Sequence, residues 1–105
     1  MTDAIQVFTT TGSRDQAQQI AQGLIEARLA ACVQVSGPIT STYRWQGQVE
    51  SADEFLCVIK TDQAHYAAVE ETIRRLHSYE VPEILAVPVI AGNPAYLKWL
   101  AEELK

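Results

Sequence analysis

Four side chains in this sequence are of the kinds that bind copper or zinc: Cys32, Cys57, His65 and His77. Thiolate and imidazole ligands suit these metals, and a built site usually places several of them at short, regular spacings. None of the four belongs to a CxxC, HxxxH or HExxH arrangement, so their spacing does not predict a metal centre. The alternative roles are structural, a cysteine as a small buried hydrophobe and a histidine as a solvated or helix-ending side chain.

Aromatic and charged side chains form a second candidate group, suited to a small polar ligand. Lys60 ends an apolar segment and Glu83 begins one, so paired ends of neighbouring strands would bring both near Tyr79. In the alternative, Arg44 pairs with a glutamate of another subunit and Trp45 anchors that contact, since Arg and aromatic residues are enriched at interfaces. The full candidate set is Tyr43, Arg44, Trp45, Lys60, Tyr79, Glu80, Glu83 and Trp99.

Catalytic motifs are lacking in the sequence. There is no nucleophile elbow, no Ser/His/Asp pattern and no glycine-rich phosphate loop. The polar segment 9–13 precedes a helix start, where backbone N–H groups can bind an anion, but it lacks the Lys and the glycine spacing of a P-loop. We therefore predict no catalytic residues and a protein that is not an enzyme.

Composition narrows the class of protein. A chain of 105 residues with 48% hydrophobic and 20% charged residues predicts one globular domain spanning residues 1–105. The net charge of −5 argues against nucleic-acid binding, because phosphate backbones attract basic surfaces. No apolar run approaches the ~20 residues of a membrane span, and the N-terminus does not resemble a secretory signal. Two cysteines without metal-type spacing favour free thiols and a cytoplasmic location.

Periodicity predicts the elements that must position these side chains. Ser13, three residues before Gln16, predicts a capped helix start, and Asn93-Pro94 predicts another. Thr61-Asp62 offers the cap for a helix between them. Extended structure is predicted at residues 5–11, 31–36, 39–46, 49–61 and 84–90.

The apolar positions of the three predicted helices recur at helical spacing, which predicts one buried stripe on each. These positions are Ala17, Ile20, Ala21, Leu24 and Ile25; Tyr66, Val69, Ile73 and Leu76; and Leu97, Leu100, Ala101 and Leu104.

The order β-α-β-β-α-β-α predicts an α+β fold. Two split βαβ units give a ferredoxin-like βαββαβ sandwich, with an extended β2-β3 hairpin and an additional C-terminal helix. Segments 55–59 and 84–90 are apolar on both faces, although two crossover helices can cover only one side of the sheet. Oligomerisation through the open face is therefore expected, with the 39–61 hairpin as an arm toward a neighbour. Pro88 lies inside the last strand, which favours an edge position.

Five segments spread along the chain carry a family resemblance: ARLAACV at 27–33, STYRWQG at 41–47, VIKT at 58–61, YEVPEI at 79–84 and GNPAYLKW at 92–99. Together they resemble the CutA family of divalent-ion tolerance proteins, which are PII-like in architecture. The resemblance implies a homotrimer with strands extended between subunits, and a link to tolerance of copper and other divalent cations. Some family members carry a cysteine on the first strand and a His-His pair; the matching positions here are Thr9 and Leu76-His77.

Two functions follow as hypotheses. The first is a metal-binding trimer for divalent-cation tolerance, with copper or another divalent cation held weakly by Cys32, His77 and nearby carboxylates. The second is a PII-like sensor or scaffold that binds a small ligand or a partner in clefts between subunits. No other cofactor, no nucleic acid and no membrane is expected.

Overall fold

The computed structural model describes residues 2–105 and has the predicted α+β, ferredoxin-like architecture. Its single antiparallel sheet has the strand order β2-β3-β1-β4. A short 3₁₀ helix, Gln63–His65, precedes the second α-helix. In chain order the elements are β1 Ala4–Thr11, α1 Arg14–Glu26, β2 Cys32–Trp45, β3 Gln48–Asp62, α2 Tyr66–Leu76, β4 Leu85–Pro88 and α3 Pro94–Glu103.

The main core lies between one face of the sheet and helices α1 and α2. Val7 on β1 and Ile59 on β3 are fully buried against Ile20 and Leu24 of α1 and Ile73 of α2. Truncating one such side chain to alanine typically costs about 2–5 kcal/mol, because the lost transfer energy is joined by a cavity term. This layer holds the sheet flat against the helices and leaves its second face to other contacts.

Each α-helix starts differently from the others. The Ser13 side chain accepts from the Gln16 backbone N–H, as predicted. The Gln16 side chain does not complete a capping box: its Nε2 donates to the Leu76 carbonyl and its Oε1 accepts from the Ser78 N–H. Asp62 caps the 3₁₀ helix rather than α2 itself. Gln16 therefore ties the end of α2 to the start of α1.

Several predicted stripe positions are more exposed than expected. Ile25 is 41% exposed and Leu76 is 37% exposed, since both lie near the ends of their helices, beyond the covered part of the sheet. Ala101 is also exposed, and Tyr66 and Leu97 are half-buried. The burial prediction was wrong or only partly right at these five positions. It was right at the other positions of the three stripes: Ala17, Ile20, Ala21, Leu24, Val69, Ile73, Leu100 and Leu104.

Strands β2 and β3 form one long hairpin of 14 and 15 residues. The two predicted segments 31–36 and 39–46 are a single strand, interrupted by a register shift between Ser36 and Ile39. At that shift Gly37 has φ +144°, and an added Cβ would lie 2.7 Å from the Phe55 ring. The hairpin extends well past the other strands, so the protomer is 45 Å long but only 26 and 22 Å across.

The last strand is shorter than the predicted segment 84–90. Strand β4 covers only Leu85–Pro88, because it pairs with just four residues of β1, Ile5 to Phe8. It lies at the sheet edge, as the proline predicted. Leu85 is 61% exposed and Ile90 is 73% exposed, so this apolar segment is not covered within the protomer.

Helix α3 covers one end of the second sheet face. Leu100 and Leu104 pack against Ala4 in a separate small cluster. The chain end is held in place by Arg28, whose side chain donates to the carbonyls of Glu102 and Glu103. No helix within residues 2–105 is both long and apolar enough to cross a membrane.

Candidate functional site

The two candidate metal ligands lie at opposite ends of the sheet. Cys32 pairs with Lys60 on β3, and Lys60 pairs with Gln6 on β1. The His77 ring contacts the carbonyl of Thr10, four residues further along β1. At about 3.3 Å per strand residue, this places the two ligands on the order of 13 Å apart along the sheet, so one protomer does not bring them together.

Both ring nitrogens of His77 are already engaged. Nε2 donates to the Thr10 carbonyl over 2.7 Å, and Nδ1 accepts the Tyr79 backbone N–H over 3.0 Å. This pattern identifies the neutral tautomer with its hydrogen on Nε2. The ring is only 8% exposed, and it stacks at a tilt on Tyr79 with 4.7 Å between ring centroids. Metal binding by His77 would have to displace one of these hydrogen bonds.

No group of three or more His, Cys, Asp or Glu side chains within residues 2–105 is arranged to hold a metal ion. Cys32 and Cys57 are both free thiols. Cys57 is fully buried, its Sγ lies 3.9 Å from the Ala17 carbonyl, and burial raises its pKa to about 11. Cys32 is half-buried on the open face of the sheet and is the more accessible of the two.

A cleft of about 830 Å³ lies between the outer half of the β2-β3 hairpin and the turn that follows α2. Strand β2 brings its last residues to one wall, and residues 79–83 form the other. The cleft brings together six of the eight predicted ligand residues: Tyr43, Arg44, Trp45, Tyr79, Glu80 and Glu83.

The other two predicted residues lie elsewhere in the protomer. Lys60 is beside Cys32, six residues along β3 from Glu54, which lines the cleft. Trp99 is on α3, where its ring lies 5.5 Å from the ring of Tyr96. Lys60 therefore does not join Glu83 in the cleft of one chain. The part of β3 that reaches the 79–83 turn is its outer half, near Glu54, whereas Lys60 lies at the other end of the strand.

A hydrogen-bonded chain forms the floor of the cleft. The Tyr79 hydroxyl donates to Glu54 Oε2 over 2.8 Å, while its backbone N–H donates to His77. Burial, followed by the hydrogen bond to the Glu54 carboxylate, raises the pKa of Tyr79 to about 12, so Tyr79 stays a neutral donor at physiological pH. Gly12 leaves space for this ring: an added Cβ there would lie 3.2 Å from the Tyr79 hydroxyl oxygen.

Sequence reasoning missed two residues of this floor, Glu54 and Thr10. Glu54 is 9% exposed and Thr10 is 7% exposed, and both line the cleft. Glu54 carried a signal, since it is an acidic residue directly before the apolar run of β3. Thr10 carried none, because a threonine near a strand end is typical of β-structure.

The fold and this cleft define a small ferredoxin-like α+β protein with a carboxylate-rich cleft beside a long β-hairpin. Residues 5–103 match the family described as CutA1 divalent ion tolerance protein. The chain belongs to this family.

Individual relatives agree over most of the chain. It is 45% identical over 96 residues to the divalent-cation tolerance protein CutA of Thermus thermophilus, covering 91% of this chain and 93% of the relative. It is 44% identical over 93 residues to protein CutA of Mus musculus, covering 89% of this chain and 52% of that relative. The chain thus spans about half the length of the mouse protein.

A solved structure supports the same assignment. The crystal structure of CutA from Xylella fastidiosa superposes with a TM-score of 0.96 at 38% identity, covering 99% of this chain and all of that one. The sequence resemblance to the CutA family and the predicted fold are confirmed.

Proposed function

We propose that this divalent-cation tolerance family protein acts as a PII-like binding protein, a homotrimer whose clefts take up a small ligand. The observation that carries the proposal is the cleft itself. Its aromatic walls, one guanidinium and several carboxylates give the mixed apolar and polar lining typical of small-molecule sites, at a volume in the usual range of roughly 300–1,000 Å³. A role in binding rather than catalysis fits this lining, which contains no cysteine or histidine and no serine–histidine pair.

The trimer is supported by apolar surface that one protomer leaves open. Trp45 and Val49, near the tip of the hairpin, are 52% and 67% exposed, and Val81 in the cleft wall is 79% exposed. Edge strand β4 adds Leu85, and the segment that follows it adds Ile90. Patches of this extent on a small protein mark interaction sites, and a hairpin arm with an unpaired edge is suited to strand pairing with a neighbour. In such an assembly the cleft would lie beside a subunit contact.

Ligand binding is tested with the isotope-labelled protein and a panel of small anions, nucleotides, amino acids and amines. We expect at least one compound to shift backbone amide resonances of residues 41–45 and 79–83 in a saturable way. Gln22 and Glu26, exposed residues of α1 that do not line the cleft, serve as the internal reference. If no compound perturbs the cleft residues selectively, the proposed binding function is wrong.

Copper binding is the second candidate function, and the half-buried thiol of Cys32 favours it. Thiolates bind Cu(I). The side chain of Tyr96 lies near Cys32: the pKa of Tyr96 is raised, mainly by burial and in smaller part by the charge of the Cys32 thiolate. Calorimetric titration of the reduced, metal-free protein with Cu(I) should show saturable binding that Cys32→Ser weakens. Cys57→Ser is the matched control, because that thiol is fully buried. Equal affinity in both variants would exclude Cys32 as the ligand.

A cytoplasmic location is part of the same proposal. It is supported by two unpaired thiols, Cys32 and Cys57, which persist as thiols in a reducing compartment.

A further inference from the structure

The carboxylate of Glu54 is buried without a cation. Its side chain is 9% exposed, and its only hydrogen bond within residues 2–105 is the one that Tyr79 donates to Oε2. The second oxygen, Oε1, accepts none there and is not a fully buried atom, so it is accessible from the cleft that Glu54 lines. Burying a carboxylate is costly unless hydrogen bonds or an opposite charge compensate it, and one neutral hydroxyl is a small compensation.

A second buried polar group lies on the same wall. Thr10 is 7% exposed and lines the cleft, and no hydrogen bond joins its hydroxyl to another residue in the part of the chain described. Its Oγ1 is not a fully buried atom, because the one side-chain N or O atom of the described residues that is both buried and unpartnered is Thr9 Oγ1; the Thr10 hydroxyl is therefore accessible from the cleft that this residue lines. Glu54 Oε1 and the Thr10 hydroxyl are therefore two acceptors available to a ligand at the floor of the cleft.

The rest of the lining carries excess negative charge. Four carboxylates, from Glu50, Glu54, Glu80 and Glu83, face one guanidinium from Arg44, a formal excess of three negative charges. Neither of the ion pairs within residues 2–105 involves any of these five, since they join His65 to Asp62 and Arg74 to Glu70. The cleft therefore favours a cationic ligand.

The shape of the cleft argues for an organic cation rather than a metal ion. The carboxylates are spread around about 830 Å³ and do not converge into a group that could hold a metal. The rings of Tyr43, Trp45 and Tyr79 also line the cleft. Aromatic faces attract ammonium and guanidinium groups, and they pack against the alkyl chain of an organic amine.

We infer that the cleft binds a linear organic amine with two or more positive charges, with one ammonium group held by Glu54 and Thr10. This inference rests on the proposed binding function and names its ligand class. A second ammonium group lies against Glu80 and Glu83, and the aromatic side chains contact the chain between them.

The test is calorimetric titration with the triamine spermidine, alongside the same titration with citrate and with MgCl₂. We expect saturable binding of spermidine, about tenfold or more weakened by Glu54→Gln and unchanged by Glu26→Gln. Glu26 is the matched control because it is an exposed glutamate at the end of α1, and its substitution changes the net charge equally. Glu83→Gln, at an exposed position, checks the site without disturbing a buried residue.

The outcomes separate this inference from the proposed function. If citrate or another panel compound perturbs residues 41–45 and 79–83 while spermidine does not bind, the ligand class is wrong and the binding function stands. If spermidine binds equally to the wild type, Glu54→Gln and Glu83→Gln, or if MgCl₂ competes at equal concentration of charge, the attraction is general and the inference fails. A loss of the oligomer in Arg44→Ala and Glu54→Gln alike would assign the cation to a second copy of the chain and also overturn it.

Discussion

Glu54 and Tyr79 are the pair on which the cleft depends at the scale of single residues. The tyrosine hydroxyl solvates a carboxylate that is nine-tenths buried, and its backbone N–H orients His77. His77 in turn bonds the Thr10 carbonyl, so the turn after α2 is fastened to the end of β1. These bonds hold the exposed turn after α2 in a defined position beside the long hairpin.

Removing the Tyr79 hydroxyl should destabilise the protein. Tyr79→Phe leaves Glu54 without a donor, and an unsatisfied buried polar group costs about 1–3 kcal/mol, with charged groups at the upper end. The free energy of unfolding in urea measures the effect. Tyr96→Phe is the control, since that hydroxyl makes no hydrogen bond within residues 2–105; similar losses in both variants would contradict a specific role for Tyr79.

A second residue-scale prediction concerns pH. His65 Nδ1 lies 2.6 Å from Asp62 Oδ1, and Nε2 lies 2.7 Å from the Lys105 carbonyl oxygen. The hydrogen bond to Asp62 is the main cause that raises the His65 pKa above its ordinary 6.5; the Lys105 carbonyl also raises it, while burial and the Lys105 charge lower it. A raised folded-state pKa stabilises the fold fully below pH 6.5, and this contribution is lost as pH rises through the folded value.

Measurement of unfolding free energy across pH 5–9 tests this prediction. The wild type should lose stability relative to His65→Gln as the pH rises above 6.5, because only the wild type carries this imidazole. Parallel pH profiles for the two proteins would show that His65 contributes no such term.

At the scale of elements, the β2-β3 hairpin decides where the site lies. Its register pairs Tyr43 with Glu50 and Trp45 with Gln48, which keeps these aromatic and acidic side chains together near the tip. The shift between Ser36 and Ile39 re-aims the outer half of the hairpin relative to the sheet, and Arg14 reinforces it by donating to the Gly37 carbonyl over 3.0 Å. Such irregularities are built features that redirect strands.

Gly37→Ala should therefore be more damaging than Gly47→Ala. Both glycines have positive φ, +144° and +78°, which side chains rarely adopt. At Gly37 the added Cβ would also lie 2.7 Å from the Phe55 ring and 2.9 Å from the Glu54 carbonyl, while at Gly47 it meets nothing within 4 Å. Thermal unfolding should show a clearly larger decrease in Tm for Gly37→Ala. Equal decreases for the two variants would mean that the positive φ accounts for the loss of stability and that the contacts of the added Cβ at Gly37 do not contribute.

At the scale of the whole molecule, the protomer is elongated, with two of its three α-helices on one face of the sheet and the β2-β3 arm at one end. Helices α1 and α2 bury the first sheet face, and α3 covers only part of the second. A chain of 11.6 kDa with this much exposed apolar surface is expected to associate. Association would also shield the outer part of the hairpin, where residues 48–54 of β3 pair only with β2.

Sedimentation velocity checks the trimer directly. The expected species has three times the 11.6 kDa chain mass, and Trp45→Asp should shift it toward monomer by placing a charge at the arm tip. Lys98→Asp on the exposed side of α3 is the control for an added charge. A wild type that sediments at the chain mass would refute the trimer.

The sequence by itself determined the order of elements, both helix caps built on Ser13 and Asn93, the edge position of Pro88, and the family. These depend on local spacing and on side chains that act within a few residues, so periodicity carries them. The tertiary structure alone decided that Cys32 and His77 lie apart and that Glu54 closes the cleft. Those facts depend on strand register and on how far the hairpin extends. Glu54 and Tyr79 are far apart in the sequence, and they meet only because the sheet places the outer part of β3 beside the 79–83 turn.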